Sequence, residues 1–385
     1  MNIAGYEIYT EWTEAGNGDW AFAKKDDVDY FIKRFPRPKY PMPGKQGPAA
    51  ERHMKEACDV WTKRQGKLIS ALRDICREDG SLVIPVGNVF RQDSTYYKVT
   101  LKINTDSLKI SEISGLSHSE KIRLMKSFAF ALNTMHSKGI IHGDIKPDNV
   151  LITKSGVGGY TARLIDFDDS YFEGDPPMPE ETVGTPEYYS PELGAFIVDG
   201  SGKTKAALTC KSDVFSAGLL FHQYYTGKDA TSGEKPAYRL KSASEFRIDT
   251  TIPPGLKKMI TEMLDLEPKN RPSMGDVINR LSKFSDIGKA SEEEIEKIEK
   301  LKNNQYKIYY SSGRTTIAPE SVIKGVMSID ISKFKVDEKV VDEKMPSKNK
   351  KIISVTDVGN GKCKIEYSDG SSVVVLKKIY ESMDK

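Results

Sequence analysis

Hydrophobic and polar positions alternate in the first part of the chain, where aromatic and β-branched residues are also frequent. This alternation predicts strands in YEIYTEW, DWAFAKK and DYFIKRF, and again in LVIPVGNVF and TYYKVTLKI. Between the two groups, apolar positions from Ala57 to Ile75 recur every three or four residues, which predicts one long helix from about Ala49 to Asp79. The chain therefore opens with a strand-rich unit that one helix interrupts.

The pattern becomes helical after Lys109. SEKIRLMKSFAFALNTMHSKG predicts an amphipathic helix that ends at Gly139, because glycine readily takes the left-handed conformation that closes a helix. Further helical patterns lie near residues 211–227, 255–265 and 273–284. A mostly helical unit therefore follows the strand-rich one, and the fold class is α+β.

The last part of the chain predicts a different structure. From Ser291, SEEEIEKIEKLKN contains a capping box and Glu–Lys pairs four residues apart, which favour an exposed helix. KIYYSSGRTTI at 307–317 resembles KIEYSDGSSVV at 364–374, and each predicts a strand, a glycine turn and a second strand. We therefore expect a connector helix over 287–303 and a small antiparallel β domain over 304–385, SH3- or Tudor-like in size.

Composition and charge narrow the functional classes. A hydrophobic fraction of 38% and a charged fraction of 29% are typical of a folded protein. The net charge of +3 gives no general attraction for nucleic acid or anionic lipid, and no apolar run approaches the ~20 residues that span a bilayer. The sequence begins without a secretion signal, and its four cysteines form no CxxC pair. We expect a cytoplasmic protein that binds neither membrane nor nucleic acid.

The stretch GIIHGDIKPDNVLI, residues 139–152, places charged and amide side chains between two apolar runs. Buried polar groups cost free energy unless they are paired, so such a cluster indicates a ligand or a reaction. A second carboxylate, Asp166, ends the apolar run RLID. Phosphoryl transfer needs a base, a cation and oxygen ligands for Mg²⁺, and these roles suit Asp144, Lys146 and the pair Asn149 and Asp166 respectively.

These motifs resemble those of the eukaryotic-type serine/threonine protein kinases, with HGD and DFD variants of two family motifs. GTPEYYSPE at 184–192 is similar to the segment that ends in Ala-Pro-Glu in the family, and SDVFSAGLLFHQYYTG at 212–227 is similar to its buried helix. The resemblance extends over residues 5–285. It implies a bilobal fold with an N-lobe over 1–104 and a helical C-lobe over 105–286.

The resemblance also assigns supporting roles in the C-lobe. It implies that Asp213 holds the backbone of the catalytic loop and that Thr185 lies beside the catalytic aspartate. It further implies a buried ion pair between Glu192 and Arg271, the arginine of NRPSM.

On the nucleotide side, the resemblance is carried by EAGNGDWAFAKK, whose Gly16 and Gly18 would cover phosphates, and by YFIK, which is similar to the family's VAIK. It implies that Lys33 contacts the α- and β-phosphates of ATP, with Mg²⁺ as the metal and Mn²⁺ as an alternative. Lys33 would pair with a glutamate of the following helix, Glu56 or alternatively Glu51. The hinge that grips adenine would comprise four residues: Thr100, Leu101, Lys102 and Ile103.

Two departures from the family pattern carry expectations of their own. Gly143 stands where the family has an arginine that pairs with a phosphorylated activation loop, which implies activity without loop phosphorylation. Asp168 stands where the family has glycine, so the segment is expected to keep one backbone state. Ser170 and Thr182 are candidate autophosphorylation sites, although ordinary loop hydroxyls explain them equally well.

Three functions remain open on this reading. The first is an ATP-dependent kinase of protein serine or threonine, favoured by Lys146 and Thr185. The second is a pseudokinase scaffold, suggested by Gly143, by Asp168 and by Ala21, which stands where the family's Gly-x-Gly-x-x-Gly turn has its third glycine. The third is a small-molecule phosphotransferase, since His-Gly-Asp also occurs in such enzymes of related fold. The substrate protein is not identified, and the C-terminal β domain is a candidate for binding a partner protein.

Overall fold

A computed structural model describes most of the kinase-like region and parts of the C-terminal region. The residues described are 1–14, 18–78, 82–83, 87–103, 107–154, 159–179, 182, 184–200, 207–284, 295–301, 305–310, 315–325, 329, 331–334, 336–337, 352–359, 362–367 and 372–376. Among them, no helix has both the length and the apolar character needed to cross a membrane.

The N-terminal part is a six-stranded antiparallel sheet in the order β1-β2-β3-β4-β6-β5. The amide of Ala4 donates to the side chain of Gln92, so the sheet curls until its first and last strands are linked. The strands are β1 Asn2–Ile3, β2 Tyr6–Ile8, β3 Asp19–Lys25, β4 Val28–Arg34, β5 Asn88–Gln92 and β6 Thr95–Leu101.

The two faces of this sheet differ in chemistry. One face forms a small apolar core of Ile3, Ala21, Ala23, Ile32, Tyr97 and Val99. Cross-strand partners point to the same face, and Lys33 pairs with both Trp20 and Lys98. The second face therefore carries Lys33 and Lys98, together with the aromatic rings of β3 and β4.

The long predicted helix is α1, Pro48–Glu78. Its second half contributes Leu68, Ile69, Leu72 and Ile75 to the main hydrophobic core, which is shared with the helical C-lobe. Nearer its start, Trp61 packs edge-on against Phe35 of the N-terminal part. The helix thus links the two lobes along one apolar face.

The C-lobe is mostly helical, as the sequence predicts, with two short strand pairs around the catalytic loop. Its helices are α2 Ile110–Ser114, α3 His118–Ser137, α4 Pro191–Asp199, α5 Lys211–Thr226, α6 Pro254–Met263 and α7 Met274–Phe284. The short strands are β7 Ile140–Ile141, β8 Val150–Lys154, β9 Tyr160–Leu164 and β10 Tyr171–Phe172, paired as β7 with β10 and β8 with β9. The catalytic-loop sequence thus lies between β7 and β8.

The expected connector helix is wrong for its described part. Residues 287–294, which include the proposed capping box, lie outside the described residues, but Ile295–Lys300 forms a strand, β11. A strand is favoured over a helix here because β11 pairs with a strand on each side, β12 and β14, and buries Ile298 completely. Tertiary pairing overrides the local helix preference.

Two sheets replace the single β domain expected over 304–385. The first combines β11 with β12 Gln305–Tyr310, β13 Thr315–Pro319 and β14 Val336–Asp337, and it includes helix α8, Glu320–Gly325. The second is antiparallel: β15 Ile352–Gly359, β16 Lys362–Tyr367 and β17 Ser372–Leu376. The first sheet belongs to a compact unit of residues 1–300 and 304–337, and the second to a unit of 301–303 and 338–385.

Candidate active site

Three predicted residues come together around Asp144, two from the catalytic loop and one from the segment that follows it in sequence. Lys146 Nζ lies 2.7 Å from Asp144 Oδ2 and donates to Thr185 Oγ1 at 2.8 Å. Asn149 Nδ2 donates to Asp144 Oδ2 at 2.8 Å, and the Thr185 amide donates to Asp144 Oδ1 at 3.3 Å. Asp144 is therefore a buried carboxylate whose two oxygens have fixed directions.

The backbone of this loop is held by Asp213, the first acid of α5. Its two carboxylate oxygens accept hydrogen bonds from the amides of His142 at 2.8 Å and Gly143 at 3.0 Å. Burial alone would raise the pKa of Asp213, but the hydrogen bond and charge of His136 hold that pKa below its ordinary value. Asp213 is thus charged, and it occupies the position that the sequence assigned to it.

His142 is a structural residue. Its Nε2 donates to the carbonyl oxygen of Ile165 at 3.1 Å, and its ring contacts Phe167 with the centroids 5.2 Å apart. Burial lowers the pKa of His142, so the imidazole is neutral at pH 7. It connects the catalytic loop to the strand that leads to Asp166.

The backbone conformation at position 143 requires glycine. Its φ of +83° favours glycine, and a Cβ atom there would overlap the carbonyl oxygen of Asp169. The chain segment after Asp166 therefore packs directly on the catalytic loop, where an arginine side chain has no room. Ser170 strengthens this contact by donating to the carbonyl oxygen of His142 at 2.8 Å.

The structure disfavours Ser170 as an autophosphorylation site. Ser170 is buried and its hydroxyl is already committed to His142, so a second active site cannot reach it without local unfolding. Thr182 is half-buried and donates to the carbonyl oxygen of Met178 at 3.2 Å, so only Thr182 remains a candidate of the two.

Asp166 and Asn149 supply oxygen atoms that suit Mg²⁺. The amide nitrogen of Asn149 is engaged by Asp144, which leaves its carbonyl oxygen for a metal ion. Asp166 has a left-handed φ of +58° and a side chain that remains 40% exposed although its surroundings are buried. Burial alone would raise the pKa of Asp166, but the charges of Lys98 and Lys33 keep it below its ordinary value, so the carboxylate is ionised.

Lys33 has a different carboxylate partner from the one predicted. It is buried and forms its ion pair with Asp168, whereas Glu56 is exposed to solvent and Glu51 pairs with Lys55 at 2.7 Å within α1. The prediction of Glu56 is therefore wrong. The apolar face of α1 explains why: its buried residues near the core are aliphatic.

Lys98 is a site residue that the sequence prediction missed. Its side chain is 4% exposed, it forms an ion pair with Asp168, and its Nζ lies 3.9 Å from Asp166. Burial lowers the pKa of Lys98 to about 8, the charge of Lys33 acts in the same direction, and Asp166 opposes both. The only sequence signal was a lysine within the apolar strand TYYKVTL, which also fits an exposed position.

Aromatic rings line the sheet face beside Lys33. Trp20 stacks on Phe31 with the ring centroids 5.2 Å apart, and the edge-on rings of Phe22 and Phe31 have centroids 6.3 Å apart. Lys102 Nζ lies 4.1 Å from the ring centroid of Phe22. All three rings are partly exposed. They form an apolar surface of ring faces and edges next to the cationic end of the site.

The predicted hinge continues from β6. Thr100 and Leu101 still pair with Phe31 and Tyr30, and the amide of Lys102 donates to the carbonyl oxygen of Asp29 at 3.0 Å. The Lys102 amide is thus engaged in the sheet. Ile103 is the last described residue of the predicted hinge.

The predicted glycine turn is described only in part. Gly16 lies outside the described residues. Gly18 has a φ of +126°, and a Cβ there would overlap the carbonyl oxygen of Arg34, so glycine is required where the turn enters β3.

Glu192 and Arg271 form the buried ion pair that the resemblance implies. The contact is bidentate, with distances of 2.7 Å and 2.9 Å from the two guanidinium nitrogens to the two carboxylate oxygens. Ser212 also donates to Glu192 at 2.7 Å, and Arg271 Nε donates to the carbonyl oxygen of Asp265 at 2.7 Å. The pair holds the first turn of α4 against the loop before α7.

Comparisons with known proteins agree with this geometry. The family model for the protein kinase domain matches residues 50–281, which is more than half of the chain. The chain is 32% identical to serine/threonine-protein kinase pkn2 of Myxococcus xanthus over 162 residues, covering 39% of this chain and 18% of the relative. It is 32% identical to serine/threonine-protein kinase PkaA of Streptomyces coelicolor over 154 residues, covering 39% and 26% respectively.

A eukaryotic relative gives a similar match. The chain is 30% identical to an Aurora kinase of Schizosaccharomyces pombe over 155 residues, which is 39% of each chain. The chain spans about half or less of the length of the curated relatives that head the comparison. Because the family model covers the catalytic loop, the aspartate that follows β9 and the buried helix α5, the chain belongs to the protein kinase family.

Proposed function

We propose that this protein transfers the γ-phosphoryl group of ATP to a serine or threonine hydroxyl of a protein. The observation that carries this proposal is the fixed set of contacts around Asp144. Asn149 and Lys146 contact one oxygen of this carboxylate and the Thr185 amide contacts the other, an arrangement that suits the activation of an incoming hydroxyl.

The transfer forms one bond to phosphorus and breaks one. The hydroxyl oxygen bonds to the γ-phosphorus, the bond from that phosphorus to the bridging oxygen breaks, and ADP leaves. The hydroxyl proton passes to Asp144, while Lys146 places a positive charge beside the oxygen that attacks. Asn149 and Asp166 would hold Mg²⁺, whose charge would offset that of the phosphates.

Activity without loop phosphorylation is part of this proposal. Three contacts tie the start of the activation segment to the catalytic loop: the pairing of β10 with β7, the close approach of Asp169 to Gly143, and the hydrogen bond from Ser170 to His142. None of the three involves a phosphate group. The segment therefore has its own anchors in place of an arginine–phosphate pair.

A protein substrate is favoured over a small molecule. Thr185 precedes the segment around Glu192, which the Arg271 pair fixes beside the catalytic loop, and the relatives named above are protein kinases. We propose the cytoplasm as the place of the reaction, because the four cysteines of the sequence are isolated and reduced thiols are usual in that compartment.

The test is transfer of radiolabelled phosphate from ATP to the protein itself and to a general acceptor, myelin basic protein. Asp144→Asn keeps the shape of the side chain but removes the base. We expect it to lower the rate by about 10²-fold or more, while binding of Mg·ADP and the thermal unfolding midpoint stay close to those of the unchanged protein.

Equal labelling by both proteins would contradict the kinase proposal and favour a scaffold. Labelling of sugars or amino alcohols but not of protein would instead identify a small-molecule phosphotransferase. Asp148→Asn is the matched control, since Asp148 is an exposed acid of the same loop.

A further inference from the structure

Neither Glu51 nor Glu56 of helix α1 pairs with the nucleotide lysine. Its buried side chains toward the core are Leu68, Ile69, Leu72 and Ile75, and the acids at positions 56 and 59 point to solvent. Bringing Glu56 to Lys33 would require the helix to turn its aliphatic face out of the core, at a cost of roughly 25 cal/mol for each Å² exposed. The aliphatic face thus fixes the helix with its acids outside.

Asp168 occupies the place of the missing carboxylate. It is 3% exposed, it contacts Lys33 directly, and it is separated from the metal-binding candidate Asp166 by one residue, Phe167. Phe167 is 2% exposed and packs in the main core against His142. The buried phenylalanine therefore anchors both carboxylates, one on each side of it in sequence.

Lys98 balances the charge that this arrangement introduces. Two neighbouring carboxylates would repel each other, and a single lysine would leave the group one positive charge short. Lys98 lies opposite Lys33 on the neighbouring strand and contacts Asp168 while remaining 3.9 Å from Asp166. The four side chains form a neutral quartet of two lysines and two aspartates.

We propose that Asp168 positions Lys33 for the nucleotide phosphates in place of a helix glutamate, and that Lys98 is the counter-ion that makes this possible. The proposal rests on the proposed function, because it concerns the ATP site of that kinase. Its consequence is that Lys33 is aligned by the strand–loop framework of β4, β6 and the Asp166–Asp168 segment, independently of any movement of α1.

The test measures Mg·ADP binding by calorimetry, which needs no turnover, together with the KM for ATP and kcat. Lys33→Met shows how far Mg·ADP binding and the KM for ATP change when the lysine itself is lost. We expect Asp168→Asn to weaken Mg·ADP binding and raise the KM for ATP by about tenfold or more, the effect of losing one charged hydrogen-bonded pair. Glu56→Gln should change either quantity by about twofold at most.

Asp168→Asn leaves two buried lysines with one carboxylate, so it could act by unfolding the site. The double variant Asp168→Asn with Lys98→Met restores neutrality and is the decisive one. We expect its unfolding midpoint to recover toward that of the unchanged protein, while Mg·ADP binding stays weakened by about tenfold. Lys98→Arg, which keeps the charge, should bind Mg·ADP more tightly than Lys98→Met.

Two results would overturn the proposal: normal Mg·ADP binding by the folded double variant, or a loss in Glu56→Gln as large as that in Asp168→Asn. If the unchanged protein binds Mg·ADP but transfers no phosphate, the kinase function fails and the binding measurements still decide the role of Asp168. If it binds no Mg·ADP, both proposals fall.

Discussion

Arg271 is the largest fully buried side chain among the described residues, and its charge is matched entirely inside the protein. Three of its nitrogen atoms donate to Glu192 and to the carbonyl oxygens of Asp265, Lys211 and Leu266. Its guanidinium also lies 4.9 Å from the ring centre of Phe215. Removing Arg271 would leave the Glu192 carboxylate buried without its counter-charge.

We expect Arg271→Ala to destabilise folding by about 3–5 kcal/mol, the cost of breaking a buried ion pair. Arg280→Ala is a matched control, because Arg280 pairs with Glu262 at the surface, where both side chains are about one-third exposed or more. That pair should be worth no more than about 1 kcal/mol. Chemical denaturation of both variants measures the difference, and equal losses would contradict a structural clamp.

Single residues of the catalytic loop could be predicted because their partners lie close in sequence or in a fixed motif. Asp144, Lys146 and Asn149 share one loop, so spacing alone places them together. The partner of Lys33 could not be predicted in this way, since it depends on which face of α1 is buried. The place of Lys98 in the site could be predicted only from the register between β4 and β6, which the alternation of apolar and polar residues does not give.

At the scale of elements, β11 shows the largest departure from expectation. Its sequence IEKIEK has acid–base spacing that favours a helix, but it forms a strand in which Ile298 and Glu299 are buried. Ile298 belongs to the small core of the four-stranded sheet, and Glu299 accepts a hydrogen bond from Tyr309 at 2.6 Å. The pairing energy of a strand comes from distant segments, so the local pattern could not reveal it.

Ile298→Ala should therefore destabilise this sheet by about 2–5 kcal/mol, because it opens a cavity in a small core. Ile317→Ala is the matched control, since Ile317 in β13 is 56% exposed. Amide hydrogen exchange of residues 305–310 measures the effect locally. Faster exchange in both variants alike, or in neither, would contradict the described sheet.

At the scale of the whole molecule, the first sheet and the kinase region share apolar contacts. Val322 of α8 packs against the main core and also against the core of the four-stranded sheet. Residues 304–337 accordingly belong to the same compact unit as residues 1–300. The kinase region thus extends beyond the end of the family match at residue 281.

Truncation should reveal this boundary. A chain that ends at Asp337 keeps the first unit whole and is expected to unfold at the same midpoint and to transfer phosphate at the same rate. A chain that ends at Phe284 loses the contact of Val322 and should unfold at a lower temperature. Differential scanning calorimetry compares the two, and identical midpoints would show that the four-stranded sheet adds no stability.

The ring-lined face beside Lys33 determines what kind of synthetic inhibitor should suit this protein. Trp20, Phe22 and Phe31 present ring faces and edges at fixed angles, and such quadrupoles favour offset stacking of another planar system. The ammonium of Lys102 lies over one edge of that surface. An extended, electron-poor heteroaromatic scaffold with an acceptor atom toward Lys102 would therefore match it better than a compact aliphatic one.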